Sequence, residues 1–400
     1  MEATIRQLTT LEEFLEMDKI ANVSYVISRD LEAQLQKRKN ELNGPRYFDA
    51  WGVFDEDGNM GAAMVNNHYL VEFDGSAVPA SGIGGVCSLP EFRSKGGVRA
   101  IFRRILQEEW ENGCVFSYLF PFSFPYYRKF GYELLHTAER LEVPLEALAD
   151  FTCSYSVTMC QTAGITEDMC RIYEQFLPGK NLSVYRGDVH WRDSKGDPYQ
   201  DRRYKYIFYD AQKNPRAYLV FHPEQGERRI VTVDDLAYLA PEDFRQMLGF
   251  LYRLRAQFGS VSMILPEDVP LVAMIPDSRA VKHTRSTQGQ LRVVNVQKAL
   301  EAMRCPQESG SAVIGVADAF LPENTGNYLL TFADGKAVSV EKVPQLQPDI
   351  RLSIQRLSQL VTGFLCLSEA AYLSDVEIFN NHAMLEKLFV HKPIYFRDHF

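Results

Sequence analysis

The 400-residue sequence lacks most features of a secreted, membrane-spanning or metal-binding protein. It has seven cysteines, an odd number with no C-x-x-C pair, which favours reduced thiols over a disulfide framework or a zinc site. The start, MEATIRQLTTLEEFLEM, lacks the basic and apolar regions of a secretory signal, and no apolar run reaches the roughly 18 residues that a membrane span requires. We therefore predict a cytoplasmic protein with no membrane segment and no metal site.

Positive charge is also scarce. The chain has 43 Lys and Arg against 52 Asp and Glu, which gives a formal net charge of −9. This balance argues against general nucleic-acid binding and is compatible with cationic substrates. Hydrophobic residues make up 46% of the sequence, enough for two or three domains with cores of their own.

Two widespread phosphate-binding motifs are missing. No Gly-Lys-Ser or Gly-Lys-Thr occurs, so the P-loop is excluded. The dinucleotide fingerprint G-x-G-x-x-G could begin at Gly82 and Gly84, but Cys87 stands at its third glycine position. The sequence therefore predicts neither a P-loop nor a Rossmann-type site.

What the sequence does contain is a cationic stretch around two glycines, EFRSKGGVRAIFRRIL, at residues 91–106. Its apolar side chains have the spacing of one buried helix face, which predicts a helix that begins near Gly97. The preceding GIGGVCSL, residues 82–89, is typical of a strand that ends at Leu89 and Pro90. The order strand, cationic glycine loop and helix places unpaired N–H groups and positive charge together, which favours phosphate binding. The apolar residues of that face are Val98, Ile101, Phe102 and Ile105, and the cations are Arg93, Lys95, Arg99, Arg103 and Arg104.

A second segment, LFPFSFPYYRKFGYELL at residues 119–135, follows one predicted helix later. Together the two segments resemble the GNAT superfamily of N-acetyltransferases, which has an R-x-x-G-x-x pyrophosphate loop and often a later Y-x-x-F-G-Y segment. The resemblance implies acetyl-CoA as co-substrate, held by the end of the predicted strand and by the loop that follows it. Strand amides of Val86, Cys87 and Ser88 would contact the pantetheine arm and thioester, and the loop Arg93, Ser94, Lys95, Gly96, Gly97 and Val98 would wrap the pyrophosphate.

The resemblance also implies a tyrosine that faces the sulfur of the coenzyme. Tyr127 fits the Y-x-x-F-G-Y pattern and would protonate the departing thiolate, although the adjacent Tyr126 leaves the register open by one residue. Ser123 could bond the coenzyme arm or be an ordinary turn serine, and the sequence does not choose between these roles.

An internal repeat indicates how the chain is organised. Shifting the sequence by 155 residues aligns WGVFDEDGNMGAAMV, 51–65, with YIFYDAQKNPRAYLV, 206–220, without a gap. Residues 228–268 then repeat the order strand, loop, helix and strand, but APEDF at 240–244 replaces the cationic glycine loop. Two acids at that helix start suit the helix dipole and would repel pyrophosphate, so we interpret the second copy as a scaffold.

The residues after the second copy show no further repeat of this strand, loop and helix order. Residues 313–343 are typical of successive strands with turns at 322–326 and 333–335, and IRLSIQRLSQLVTGFL, 350–365, predicts an amphipathic helix that ends near Gly363. A small α+β domain is expected here. The sequence does not say whether it binds a lipid.

The whole order of domains resembles the Eis (enhanced intracellular survival) family of bacterial N-acetyltransferases. It implies an α+β fold with a catalytic GNAT domain at 1–150, a degenerate GNAT-like domain at 151–282 and a sterol-carrier-protein-like domain at 283–400, the first two with mixed central sheets flanked by helices. It further implies direct acetyl transfer to a primary amine of a small cationic acceptor, aminoglycoside-like or polyamine-like. A hexameric assembly and an active-site role for the C-terminal residue Phe400 are also implied.

Two other kinds of protein are alternatives to this reading of the sequence. A Fem-type aminoacyl-tRNA-dependent transferase also has tandem acetyltransferase-like domains, but it would need a cationic tRNA-binding surface and commonly a basic coiled-coil arm, and the sequence shows neither. A non-enzymatic ligand-binding protein with two relic domains would not need the intact loop from Arg93 to Gly97. Acetyl-CoA binding distinguishes these alternatives.

Overall fold

The computed structural model describes residues 4–28, 30–44, 47–191, 194–224 and 229–398. These residues form two compact units. The first comprises the described residues up to His136 together with Gln288–Lys392, and the second comprises Thr137–Thr287 together with the described residues from Pro393 onward. Helices and mixed sheets occur in both, so the predicted α+β class is confirmed.

The first sheet lies in the first unit and is built mainly from the N-terminal region. Its strands are β1 (Thr4–Gln7), β2 (Phe48–Phe54), β3 (Met60–Phe73), β4 (Ser76–Ser88), β5 (Phe116–Leu119), β6 (Glu133–Leu134) and β14 (Gln290–Val293). The order is β1-β2-β3-β4-β5-β14-β6, with β4 and β5 parallel and the other neighbours antiparallel. The helices of this region are α1 (Leu11–Tyr25), α2 (Leu31–Asn43), α3 (Gly97–Glu111) and α4 (Phe124–Arg128).

Helix α3 confirms the prediction made from the cationic stretch. It begins at Gly97, and Ile101, Phe102 and Ile105 are almost fully buried on the face that the periodicity indicated. The strand before it ends at Ser88, and a short 3₁₀ turn at Pro90–Phe92 leads into the loop. The apolar residues of α3 predicted this helix correctly because they recur at the spacing of a helix turn. The buried face of a helix is therefore visible in the local sequence.

The second sheet lies in the second unit. Its strands are β7 (Thr137–Pro144), β8 (Ser156–Met159), β9 (Tyr204–Tyr209), β10 (Pro215–Pro223), β11 (Ile230–Tyr238), β12 (Ser260–Ile264) and β13 (Lys282–Thr287). The order is β13-β7-β12-β11-β10-β9-β8. The helices are α5 (Glu167–Phe176), α6 (Pro241–Tyr252) and α7 (Leu271–Met274).

The two sheets exchange strands along the chain. Strand β7 follows β6 after two residues but pairs with β12 and β13 in the second sheet. Conversely, β14 follows β13 after two residues but pairs with β5 and β6 in the first sheet. Each sheet is therefore completed by a strand from outside its main sequence range.

The internal repeat is confirmed at atomic detail in the two aligned hairpins. Asp55 Oδ1 accepts a hydrogen bond from Asn59 N at 2.8 Å, and Asp55 Oδ2 accepts from Asn59 Nδ2 at 3.3 Å. Asp210 and Asn214, exactly the positions shifted by 155, make the same two bonds at 2.9 and 3.1 Å. The repeat therefore preserves a side-chain turn motif as well as the strand pattern.

The third sheet belongs to the first unit. Its strands are β15 (Gly310–Ala317), β16 (Gly326–Ala333), β17 (Lys336–Lys342), β18 (Ile350–Ser353) and β19 (Val376–Ile378), in the order β17-β16-β15-β18-β19. Its helices are α8 (Val296–Ala302), α9 (Ile354–Val361), α10 (Leu367–Ala370) and α11 (His382–Leu388). The predicted turns at 322–326 and 333–335 separate β15, β16 and β17.

One boundary of the sequence prediction was wrong. The helix predicted from residue 350 begins at Ile354, because residues 350–353 pair in parallel with β15 as strand β18. Ser353 then caps the helix by accepting a hydrogen bond from Arg356 N at 3.3 Å. Long-range strand pairing overrides the local helical pattern here, and the serine fixes where the helix can start.

A buried ion pair joins the first and third sheets within the first unit. Arg292 of β14 pairs with Asp318, and both side chains are fully buried. Arg292 Nη1 also donates to the carbonyl of Phe130 at 2.6 Å, and Asp318 accepts from the backbone N–H of Phe320 at 3.0 Å. A charge removed from water in this way is stabilised only while its partner and hydrogen bonds remain.

Asp318→Asn is therefore expected to destabilise the first unit by about 3–5 kcal/mol, because it leaves the Arg292 guanidinium buried without a counter-charge. Thermal unfolding followed by circular dichroism should show a midpoint lowered by about 10 °C. The control is Glu377→Gln, whose partner Arg351 and own side chain are more than half exposed, and which should change the midpoint little. Equal midpoints for the two variants would contradict this account of the ion pair.

Candidate active site

Strands β4 and β5 separate at one end of the first sheet. Their parallel pairing covers Ala80–Gly82 and Phe116–Tyr118, whereas β4 continues to Ser88 along β3. Opposite Met64 the register shifts, and Gly85 adopts a φ of +59°, which is characteristic of a β-bulge. The end of β4 therefore borders an opening rather than a neighbouring strand on the β5 side.

The cationic loop leads from this opening into α3. Ser94 and Gly96 have φ values of +62° and +84°, so the loop turns sharply before the helix. Gly96 is the N-cap residue without a side-chain cap, and the first turn of α3 contains no acidic residue. The helix thus presents backbone N–H groups and the positive end of its dipole, with exposed Arg93 and Lys95 beside it. This arrangement is suited to an anionic group.

The end of β4, the end of α1, the cationic loop with the start of α3, and the segment that contains α4 line a cleft of about 750 Å³. The predicted residues Val86, Cys87, Ser88, Arg93, Ser94, Gly96, Gly97 and Val98 line it. The predicted residues Lys95, Ser123 and Tyr127 are outside this lining. Phe400 lies outside the described residues, so the structure does not address its predicted role.

Charge in the cleft has one sign. Among the described residues that line it, the charged side chains are Arg93, Arg99 and Lys129, all cations. The Arg99 guanidinium stacks 5.0 Å from the centre of the Phe320 ring, in the loop that also contains Asp318. The cleft is therefore electrostatically complementary to phosphate groups.

Two residues at the end of α1 contact the open end of β4, and sequence analysis missed both. Ser24 Oγ donates to Ser88 O and accepts from Ser88 N, each at 2.9 Å. The Tyr25 hydroxyl donates to Val86 O at 2.8 Å. The Ser88 amide assigned to the coenzyme arm is thus already bonded in this structure. The contacts span more than 60 residues, and nothing in the local sequence signals them.

Tyr127 and Tyr126 occupy different environments. Tyr126 is partly exposed and lines the cleft, whereas Tyr127 is 3% exposed and packs edge-on against Phe102 and Phe122. Burial, followed by the nearby hydroxyl of Tyr25, raises the pKa of Tyr127 well above its ordinary value. Tyr127 is therefore protonated at neutral pH and has a proton to donate.

The segment after Tyr127 is held rigidly. Gly131 has a φ of +87°, and a Cβ added there would lie 2.7 Å from Arg292 Nη1. The Tyr132 hydroxyl is bonded to Ser117 Oγ at 2.7 Å. Glycine is thus required by both conformation and space, which explains its place in the F-G-Y segment.

The corresponding helix start in the second unit is chemically different. Glu242 and Asp243 are in the first turn of α6, after a proline. Arg216 makes two hydrogen bonds to the Asp243 carboxylate at 3.2 and 3.1 Å, and the Tyr155 hydroxyl donates to it at 2.8 Å. The Asp243 carboxylate, paired with Arg216, therefore lies in the first turn of α6, where it would repel a phosphate. This agrees with our interpretation of the second copy as a scaffold.

A group of potential metal ligands lies in the C-terminal region of the first unit, at α10 and after α11. Cys366, Glu369 and His391 place ligand atoms within 4.8 Å of one another. Glu369 Oε2 accepts from Cys366 N at 3.1 Å and lies 3.0 Å from His391 Nε2. Helix capping and an exposed ion pair account for these contacts.

Comparison with known proteins agrees with this geometry. Models of the acetyltransferase (GNAT) domain match residues 4–135 and 182–293, and a model of the sterol carrier protein domain matches 296–397. A protein of Streptomyces avermitilis described as an uncharacterised N-acetyltransferase is 26% identical over 331 residues, covering 78% of this chain and 79% of that protein. The chain thus consists of two GNAT acetyltransferase domains and a sterol carrier protein domain, and it is an acyltransferase of this class.

Solved structures show the same architecture over the full length. A probable N-acyltransferase of Enterococcus faecalis has a TM-score of 0.87 at 21% identity, covering 98% of this chain and 99% of that one. Eis1 of Mycobacterium abscessus has a TM-score of 0.80 at 21% identity, covering all of both chains. The predicted Eis-type architecture is confirmed. No helix in the described ranges is long and apolar enough to cross a membrane.

Proposed function

We propose that the first domain transfers an acetyl group from acetyl-CoA to a primary amine of a small cationic acceptor, aminoglycoside-like or polyamine-like, in the cytoplasm. The observation that carries this proposal is the uncapped, acid-free start of α3 beside a cleft whose charged side chains are cations. The first turn of a helix can bind a diphosphate through N–H groups alone, and Gly96 allows close approach of the anion.

The residues present fit acetyl-CoA, which would supply the acetyl thioester to be transferred. The N–H groups at Gly97 and Val98, with Arg93 beside them, would hold its diphosphate. The end of β4 around Val86 and Cys87, which among the described residues has no strand partner on the β5 side, would align the pantetheine arm. A backbone amide that bonds the thioester oxygen can contribute up to about 3 kcal/mol. Tyr127 would pass its Oη proton to the sulfur as the thiol departs.

The acceptor class has separate support. It rests on the chain's net charge of −9 and on the Eis-type architecture, since the cleft lining itself complements phosphate rather than an amine. The resemblance also supports a homohexamer, for which light scattering on the purified protein is the direct test.

A panel assay tests the reaction. Free thiol released from acetyl-CoA should appear with polyamines and aminoglycosides at rates well above those with neutral alcohols or anionic amines of similar size. Mass spectrometry should locate the added acetyl group on nitrogen. Turnover restricted to neutral or anionic acceptors would contradict the acceptor class, and thiol release without an acetylated amine would contradict transfer.

We further expect the C-terminal carboxylate of Phe400 to serve the incoming amine. A terminal carboxylate has an ordinary pKa of about 3.3–3.7, so it can pair with the ammonium and relay its proton through water, or act directly where burial raises its pKa. Deleting Phe400, amidating the terminus or appending a C-terminal tag should lower turnover about 100-fold or more and leave acetyl-CoA affinity unchanged. An N-terminal tag is the control. Wild-type turnover from the C-terminally tagged enzyme would exclude this role.

A further inference from the structure

The C-terminal segment is built into the second unit along its backbone. Ile394 forms a parallel bridge with Asn181, and Tyr395 N donates to Asn181 O at 3.0 Å. Ser183 Oγ donates to Tyr395 O at 2.7 Å. The side chains of Ile394, Tyr395 and Phe396 are buried. This segment is therefore held by a β-bridge, further hydrogen bonds and burial, unlike a loose terminus.

Charged contacts extend this attachment to Asp398. Arg397 donates to the carbonyls of Ile264 and Asp234 at 3.1 and 2.5 Å. Asp398 Oδ1 accepts from Arg186 Nε at 2.7 Å, and the two side chains are only 11% and 6% exposed. Since an isolated buried carboxylate is costly, the Arg186 partner fixes where Asp398 can lie.

The Arg186 guanidinium is itself fixed from several directions. Its Nη1 pairs with Asp235 at 2.6 Å, and its planar group lies 4.2 Å from the ring centre of Tyr173 and 4.9 Å from that of Trp191. Because the Arg186 guanidinium is stacked on two rings and paired with Asp235, its remaining N–H groups point in a fixed direction toward Asp398. We name Arg186, Asp235, Tyr173 and Trp191 the anchor cluster.

We infer that the second acetyltransferase-type domain, through the anchor cluster, serves as the anchor that positions the C-terminal segment for catalysis. The inference rests on the proposed role of the Phe400 carboxylate for its effect on turnover, but not for the attachment itself. Two residues follow Asp398, and two residues span at most about 7 Å. Asp398 is thus the described residue that precedes the proposed catalytic terminus most closely in the sequence. Arg186 and Asp398 are positioning residues, because they act through Phe400.

This role gives a function to a second domain whose helix start carries acids instead of a phosphate loop. Hydrophobic residues alone would pack the segment at least as stably, because charged groups lose their hydration on burial. A buried carboxylate paired with a stacked guanidinium adds directional placement, which catalysis by a chain terminus requires.

The test is Asp398→Asn in the full-length protein, which removes the charge and leaves Arg186 paired with Asp235. Carboxypeptidase digestion under native conditions, followed by intact mass spectrometry, measures how often the segment is released. Each rate is divided by that of the same chain unfolded in urea, which corrects for protease preference. We expect release about 10-fold faster or more than in the wild type, because a charge-assisted buried hydrogen bond is lost.

Two variants serve as controls. Asp277→Asn removes a carboxylate of the same type from an exposed ion pair with Arg279 and should digest like the wild type. Asp398→Glu keeps the charge and should retain most of the protection. In the same preparations, Asp398→Asn should lower kcat while the Kd for acetyl-CoA stays at the wild-type value.

The two proposals fail in different ways. If Asp398→Asn is digested no faster than the wild type, the anchor is excluded, whatever the kinetics show. If the segment is released faster but kcat is unchanged, the attachment stands and its positioning effect on turnover is excluded, while the truncated and tagged enzymes test the role of Phe400 itself. Faster release together with lower kcat and partial rescue by Asp398→Glu supports both.

Discussion

Tyr127→Phe is expected to lower kcat about 100-fold or more, because it removes the hydroxyl that protonates the departing sulfur while the ring remains packed against Phe102 and Phe122. The affinity for acetyl-CoA should change little, because the substitution removes one hydroxyl and leaves the diphosphate loop at Arg93–Val98 intact. Steady-state kinetics with thiol detection, together with calorimetric binding, measure the two effects separately.

The adjacent tyrosine is the matched control for this variant. Tyr126→Phe removes the same group one residue earlier, from a side chain on the cleft wall, and should change kcat only a few-fold. If Tyr126→Phe is the inactive variant and Tyr127→Phe is active, the general acid is Tyr126 and the register of the Y-x-x-F-G-Y alignment shifts by one.

The pH profile provides a further check on Tyr127. The protonated form is the active one, so kcat should fall as pH rises through the pKa of this tyrosine. Burial raises that pKa above the ordinary value of 10.0, and no loss of kcat from Tyr127 ionisation is therefore expected up to pH 10. A fall in kcat near pH 8 that disappears in Tyr127→Phe would show that the hydroxyl is more acidic than its burial implies.

Gly96→Asp is expected to weaken acetyl-CoA binding about 100-fold or more, because it puts a carboxylate at the helix start where the diphosphate would bind. Space is not the reason, since a Cβ at Gly96 would meet no atom within 4 Å. Combining it with Arg93→Ala, which also removes a cation, should abolish measurable binding. Calorimetric titration with acetyl-CoA measures both variants.

The hairpin between β2 and β3 offers a control for backbone strain. Gly58 has a φ of +83° against +84° for Gly96 and also has no atom within 4 Å of an added Cβ. Gly58→Asp therefore introduces the same residue into the same conformation away from the cleft lining, and it should bind acetyl-CoA like the wild type. Equal losses in the two variants would attribute the effect to strain instead of charge.

Features that depend on nearby residues were predictable from the sequence. The start of α3 at Gly97 follows from a buried face that repeats within one stretch, and the loop before it follows from glycines and cations in immediate succession. The repeat was recognisable because a hairpin turn bonded through Asp55 and Asn59 needs the same residue types in both copies. In each case the physical constraint acts over a few residues.

Features that depend on distant contacts were not predictable. Nothing near β14 indicates that it completes the first sheet, and the buried state of Arg292 depends on Asp318 and on the carbonyl of Phe130. Likewise, Ser24 and Tyr25 reach the end of β4 only after folding has brought α1 beside it. Local patterns contain no information about such pairings, because tertiary packing decides them.

The most direct test of the account is calorimetric titration of the full-length protein with acetyl-CoA. We predict saturable binding at micromolar concentrations with one molecule per chain, and the same stoichiometry in Glu242→Lys, since Asp243 still occupies the first turn of α6 and one added cation does not recreate the glycine loop. Absence of binding at these concentrations, or a second acetyl-CoA bound per chain, would contradict assignment of the coenzyme site to the loop at Arg93–Val98.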